Sequence, residues 1–285
     1  MLTIEELHRH IQKLSRENIK LKDFCNVDKI NLFADSGMVN NAETEFSKIV
    51  LSLDINDFDI YLINKKYPNA AILAHHPIGM LDAGWEREII KKDNSELGIM
   101  SSAGHFNVSF KAEMLGVNLC CAHTLADFVA ATYLEQIAFK KLGKTELTVK
   151  EIIEKVLLKM DEPQYYSKYG LNPIKEIFSN ENIAKENMFV QIGTYPPENY
   201  EKCLEYLDNL QKHKIKFIVD SDVEAPRLKA MKEKGISYLM GTHNAMDCIA
   251  LNLIANSIKK EYGCEIIPWN NFCYSEKTNL SEILH

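Results

Sequence analysis

No apolar run in the 285 residues approaches the roughly 18 that a membrane helix requires, so a bilayer span is not expected. A basic excess is missing as well: 33 Lys and Arg face 40 Asp and Glu, for a formal net charge of -7. Neutralising a phosphate backbone takes clustered Lys and Arg, so nucleic acid is not an expected partner. CxxC spacings are absent. The seven cysteines, Cys25, Cys120, Cys121, Cys203, Cys248, Cys264 and Cys273, are odd in number and scattered. That disfavours a structural zinc ribbon and fits a reduced, cytoplasmic setting with most thiols buried as small hydrophobes. The opening stretch MLTIEELHRHIQKLSREN has charges every few positions and no apolar core of signal-peptide length, which argues against export. Gly241-Thr242-His243 fits neither the dinucleotide nor the P-loop spacing, so no nucleotide loop is expected. Low-complexity tracts and short-period repeats are also missing.

What is present is an ordinary globular composition, long enough for one large or two small domains at about 150 residues each. Thr3 and Glu6 have capping-box spacing ahead of a Leu7, Ile11, Leu14 stripe, which predicts an opening amphipathic helix with His8 and His10 on or near its solvated face. The run Asp35 to Asn41 reads as a loop, in which Asp35 and Gly37 build a turn. After it, KIVLSLD, a helix from Asp57 to Lys66 and AAILA form a strand-helix-strand unit, hence a parallel sheet with a right-handed crossover. GVNLCCA predicts a third strand and Ala126 to Leu142 a long helix. From Thr148 to Glu186 a helix and a polar connector mark a seam. Beyond it MFVQIG, KFIVD, ISYLM and CEIIPW are strands, alternating with helices near ENYEKCLEYLDNL, over RLKAMKEK and from Asn244 to Lys260. The expected fold is α/β: two related halves with mostly parallel or mixed sheets flanked by helices. The expected divisions are 1–145, a helical connector 146–186, and 187–285.

Most candidate metal-binding side chains fall between a strand and the next helix: His75-His76, His123 with Asp127, and His243 with Asp247. Ligands of open α/β sheets bind at the carboxyl ends of strands, so these segments are candidates for one site. In an extended backbone His75 and His76 diverge, with Pro77 keeping His76 out of the helical region, so they suit two ions better than one. The four-residue spacing of His123 to Asp127 and of His243 to Asp247 puts each pair on one helical face. Imidazole with carboxylate suits Zn, Mn, Fe or Ni, and a carboxylate such as Asp127 or Asp247 can bridge two ions. Plainer readings compete. His105, His213 and His285 read as hydrogen-bonded core residues or cap neighbours, and Asp54 as a cap for the following helix as readily as a site residue. Tyr195-Pro196-Pro197 is a candidate ligand loop for which a helix start is explanation enough, and burial is the default for Cys120, Cys121 and Cys248, with thiolate chemistry the alternative.

At AILAHHPIGM, CCAHTLADF and MGTHNAMD the sequence resembles the Nif-three-like family, also described as the dinuclear-metal-centre or GTP cyclohydrolase type-two-like family. Its signatures are a strand ending in HHP, an AHTxxD segment and a GHxxxE segment; LSLD and DSGM resemble flanking elements. The resemblance implies two α/β domains with two divalent ions between them, and a toroidal hexamer. It further implies the ligands His75, His76, Asp127, His243 and Asp247, leaving His123 as a proton donor or a support to the ligands. This sequence departs from the pattern at Asp247, where the family has Glu, at Leu125 and Thr242, and in the IGMLDAGWEREIIKK segment, as a divergent branch would.

The resulting expectation is a dinuclear metal-binding protein acting as a metal-dependent hydrolase on a small molecule. A nucleotide or phosphoester, as in GTP ring-opening, is one candidate substrate. The alternative is a non-enzymatic metal-binding, storage or regulatory protein. A third reading, an interaction adaptor acting on transcription, draws little support from the acidic composition.

Overall fold

The computed structural model describes residues 1–18, 36–77, 103–141, 148–158, 160, 168–169, 174–177, 188–191, 200–221, 225–270 and 272–278. Asp35, the IGMLDAGWEREIIKK segment, Tyr195-Pro196-Pro197, Cys25 and His285 lie outside these residues, as does the side chain of His105. The chain divides into two compact units. Of the described residues, the first holds Met1–Asn18, those within Val27–Ala126, and those within Ala250–Asn279; the second holds those within Asp127–Ile249. No described helix is long and apolar enough to cross a membrane.

Helix α1 (Ile4–Asn18) begins with the expected capping box: Glu6 N–H donates to Thr3 Oγ1 at 3.3 Å and Thr3 N–H to the Glu6 carboxylate at 2.9 Å. Leu7, Ile11 and Leu14 are buried. His8 and His10 are buried too, contrary to the expectation of a solvated face. The His10 ring stands edge-on to Tyr262, and its Nε2 lies 3.0 Å from Ser257 Oγ. A neighbouring segment far along the chain covers this side of the helix, and a stripe of helical period cannot reveal such a cover.

The first sheet grows from the predicted unit. Strands β2 (Lys48–Ile55) and β3 (Ala71–Pro77) pair in parallel around helix α2 (Asp57–Lys66). Asn56, not Asp54, caps α2: its side chain accepts Asp59 N–H while Asp59 accepts Asn56 N–H. Helix α3 (Ala103–Leu115) precedes β4 (Leu119–Cys121), which pairs in parallel with β3. Part of the expected loop is instead strand β1 (Gly37–Asn40), antiparallel to β4. Four residues led by a glycine show too little alternation to read as a strand. Strand β9 (Glu265–Pro268) adds in parallel beside β2, giving the order β1-β4-β3-β2-β9. Val50, Ile72, Ala74 and Leu119 pack against Ile60 and Ile63 of α2 and Val108 and Ala112 of α3. Residues of alternate parity, such as Ile49, Leu51 and Leu73, are buried as well. A sheet buried on both faces is why these strands are continuous apolar runs.

The second sheet follows the same plan at smaller scale. Helices α4 (Thr124–Lys141) and α5 (Val149–Leu157) lead to β5 (Lys175–Ile177), a strand within the segment expected as a polar connector. Then come β6 (Met188–Val190), α6 (Tyr200–Lys212), β7 (Phe217–Asp220), α7 (Ala225–Lys234), β8 (Ser237–Met240) and α8 (His243–Tyr262). The order is β5-β8-β7-β6, with β5 antiparallel and the others parallel. Phe189, Ile218 and Tyr238 form a core with Leu207 and Leu210 of α6 and Ala230 and Met231 of α7. His213, expected as a core or cap residue, is exposed after α6. Five of the six described cysteines are buried, and all six are free thiols. Burial pushes the Cys120 thiol up to about 12, which removes it as a nucleophile near neutral pH.

Candidate metal centre

The carboxyl end of β3 presents two imidazoles whose inner nitrogens are already committed. His75 is fully buried, and its Nδ1 lies 2.8 Å from the carbonyl oxygen of Ala122, just past β4. A carbonyl only accepts, so Nδ1 carries a proton and faces away from any ligand role. His76 is directly opposite Asp54 on β2, and its Nδ1 is 3.2 Å from Asp54 Oδ1. The two rings are thus anchored to opposite neighbouring strands. A carboxylate or carbonyl partner on one ring nitrogen is the usual support of a metal-bound histidine, because it fixes the tautomer and makes the other nitrogen more basic.

His123 joins them from the loop between β4 and α4. Its ring centre is 4.9 Å from that of His75 and 4.8 Å from that of His76. The expected divergence of His75 and His76 does not hold for the rings, whose centres are 4.4 Å apart at the strand end. One ring nitrogen from each of His75, His76 and His123 lies within 4.8 Å of the others. Ser36 holds the turn beneath this cluster: its buried hydroxyl accepts His123 N–H at 2.9 Å and Leu125 N–H at 3.5 Å. Cys121 contributes a thiol 3.0 Å from the His75 carbonyl oxygen, a packing contact inside the sheet.

The carboxylates come from helix starts. Asp127 lies in the first turn of α4 and is buried. In the second unit His243 opens α8, and its Nε2 is 3.4 Å from Asp247 Oδ2, the shared face that the four-residue spacing predicts. Asp247 is 1% exposed. Burying a carboxylate is costly unless positive charge accompanies it, and a divalent cation would supply that charge. Imidazole nitrogens and buried carboxylates make a donor set that fits Zn, Mn, Fe or Ni.

No family model matches the sequence, and neither does any curated protein. Solved structures do. The chain is similar to a NIF3 superfamily protein from Sphaerobacter thermophilus, with a TM-score of 0.60, 16% identity, and coverage of 95% of this chain and 98% of that one. It is also similar to reduced HcgD from Methanocaldococcus jannaschii, with a TM-score of 0.56, 14% identity, and coverage of 94% and 97%. TTHA1606 from Thermus thermophilus gives 0.52, 12%, 94% and 98%. The chain has the NIF3 fold.

Within the NIF3 fold of this chain, one supporting residue escapes a reading of the sequence and a second is only half legible in it. Ser36 lies in a segment read as a loop, and nothing in its neighbourhood signals a bond to a residue 87 positions away. Asp54 was open to a site role, and the signal against its capping role was present: Asn56 and Asp59 already have capping-box spacing before the same helix.

Proposed function

We propose that the chain is a divergent Nif-three-like protein whose His75, His76, Asp127, His243 and Asp247 hold two divalent ions, and that it hydrolyses a small anionic or nucleotide-like substrate. The observation that supports this best is the anchoring of His75 and His76 through Nδ1, to Ala122 and Asp54, with one ring nitrogen each of His75, His76 and His123 gathered within 4.8 Å of one another. Bound ions would supply Lewis acidity to the bond under attack. The chain's own residues orient and neutralise. Asp54 and the Ala122 carbonyl fix the two ligand rings, and Ser36 steadies the turn that carries His123. That ring, distant from His75 and His76 in sequence and under 5 Å from both in space, is the residue to hold or pass a proton during hydrolysis. Asp247 in place of Glu shortens the reach of one ligand by a methylene and bears on which metal is preferred. The family resemblance implies a hexamer, and a homo-oligomer in the cytoplasm is part of this proposal.

Elemental analysis of the purified protein tests it. We expect about two ions per chain, lost in Asp127→Asn, followed by turnover of phosphoesters or nucleotides in the preferred metal. Stoichiometric metal retained by Asp127→Asn rejects the ligand set. Full metal content with no turnover across those substrates favours the storage or regulatory reading instead.

A further inference from the structure

The second sheet carries a polar cluster that the metal reading does not use. Asp220 ends β7 and is fully buried. Its Oδ1 accepts Ser221 N–H at 2.7 Å, and its Oδ2 accepts both the Gln191 amide and Arg227 Nη1, the latter at 2.9 Å. Tyr206 hydroxyl in turn donates to Gln191 Oε1 at 2.6 Å. Arg227, third residue of α7, is 1% exposed, and its remaining donors Nε and Nη2 have no hydrogen-bond partner among the described residues.

Those two donors are not an arbitrary pair. Nε–H and Nη2–H lie on one edge of the planar guanidinium and point in parallel, the geometry that grips both oxygens of a carboxylate or phosphate. Asp220 already takes three donors and has fixed the Nη1 side. The first turn of α7 contains no acidic residue, so its peptide dipoles favour negative charge there. A second orphan stands on the same sheet edge. Asp220 faces Met240 on β8, its carbonyl accepts Gly241 N–H at 3.0 Å, and the next residue, Thr242, has a buried hydroxyl oxygen without a partner among the described residues. Buried donors left unmet are rare and costly, and the carboxyl ends of parallel strands are where α/β sheets bind ligands.

We propose that the Nε–Nη2 edge of Arg227 is an oxyanion subsite, which takes a carboxylate or phosphate group in bidentate fashion. Arg227 is not among the proposed metal ligands, so the subsite is tested in chelator-treated full-length protein. Inorganic phosphate and acetate are titrated in parallel at constant ionic strength while the Arg227 Nε–H resonance is followed by NMR. The expected result is a saturable shift with at least one anion and none with matched chloride. Preference for phosphate assigns the subsite to a phosphoryl group, and preference for acetate to a carboxylate. Arg227→Lys, which keeps the charge and loses the parallel edge, is expected to bind about tenfold more weakly in a thermal-shift titration. The wild-type resonance decides the matter even if that variant folds poorly. No response to either anion, or an equal response to chloride, overturns the proposal. So does a resonance that moves only on Asp222→Asn or Glu224→Gln, because one of the chain's own carboxylates then fills the edge.

Discussion

Asp54 and Asp220 occupy the same slot in two sheets of the same plan. Each closes an apolar run in a parallel strand, LSLD in the first unit and FIVD in the second, and each faces the last stretch of the next strand. Their neighbours differ. Asp54 faces His76, stays 49% exposed in its side chain, and orients an imidazole. Asp220 faces Met240, which offers no polar partner, and its buried carboxylate turns to Arg227 on α7 and to Gln191 beyond β6. An aspartate at the end of an apolar strand is therefore not a motif with one meaning. Its role follows from the residue across the ladder and from its access to water.

Breaking the two pairs should give opposite profiles. Arg227→Met leaves the Asp220 charge buried without its cation and should cost about 3 to 5 kcal/mol of stability, read from urea denaturation. The double variant Arg227→Met with Asp220→Leu should recover a large part of that loss, because well-packed apolar side chains often replace a buried ion pair without penalty. An unchanged urea midpoint in Arg227→Met would mean that water reaches Asp220.

Asp54→Asn sharpens the same contrast from the other side. The half-exposed pair contributes little, so stability should change by less than about 1 kcal/mol. Metal affinity should fall roughly 10- to 100-fold, since the His76 ring loses the carboxylate that fixes its tautomer. Competition with a coloured chelator measures this. Equal affinity in the two proteins would assign Asp54 to the surface alone.

Much of this was readable from sequence because it depends on local pattern. Apolar runs placed the strands, the Thr3–Glu6 and Asn56–Asp59 spacings mark two helix starts, and HHP, AHTLAD and GTHNAMD placed the candidate ligands at strand ends. What stayed hidden depends on partners distant in the chain. Strand β1 is too short to show alternation, and its pairing with β4 exists only in the folded sheet. CEIIPW was legible as a strand, but its place beside β2 was not, because the two are far apart in the chain and no local signal encodes the pairing. The anchors on His75 and His123, from Ala122 and Ser36, are bonds between distant parts of the chain of the same kind.

The burial of His8 and His10 offers the smallest test, and it contrasts with the proposed ligand histidines because protonation alone is read. Desolvation lowers the pKa of both below the ordinary histidine value of 6.5; at His10 the nearby Glu261, 3.3 Å from Nδ1, offsets part of the shift. The sign follows from proton binding. Between the depressed folded values and 6.5 the unfolded chain binds more protons than the folded one, so stability rises with pH through that window and is lost as pH falls back through it. Thermal melts of metal-free protein should therefore drop in midpoint as pH is lowered from about 6.5 toward 5, and part of the drop should vanish in His8→Gln. His8 is the cleaner position, because desolvation is the sole cause of its shift while its Nε2 keeps a neutral bond to Gln12 at 2.9 Å. An identical pH profile in wild type and His8→Gln would show that His8 is already open to water before the protein unfolds.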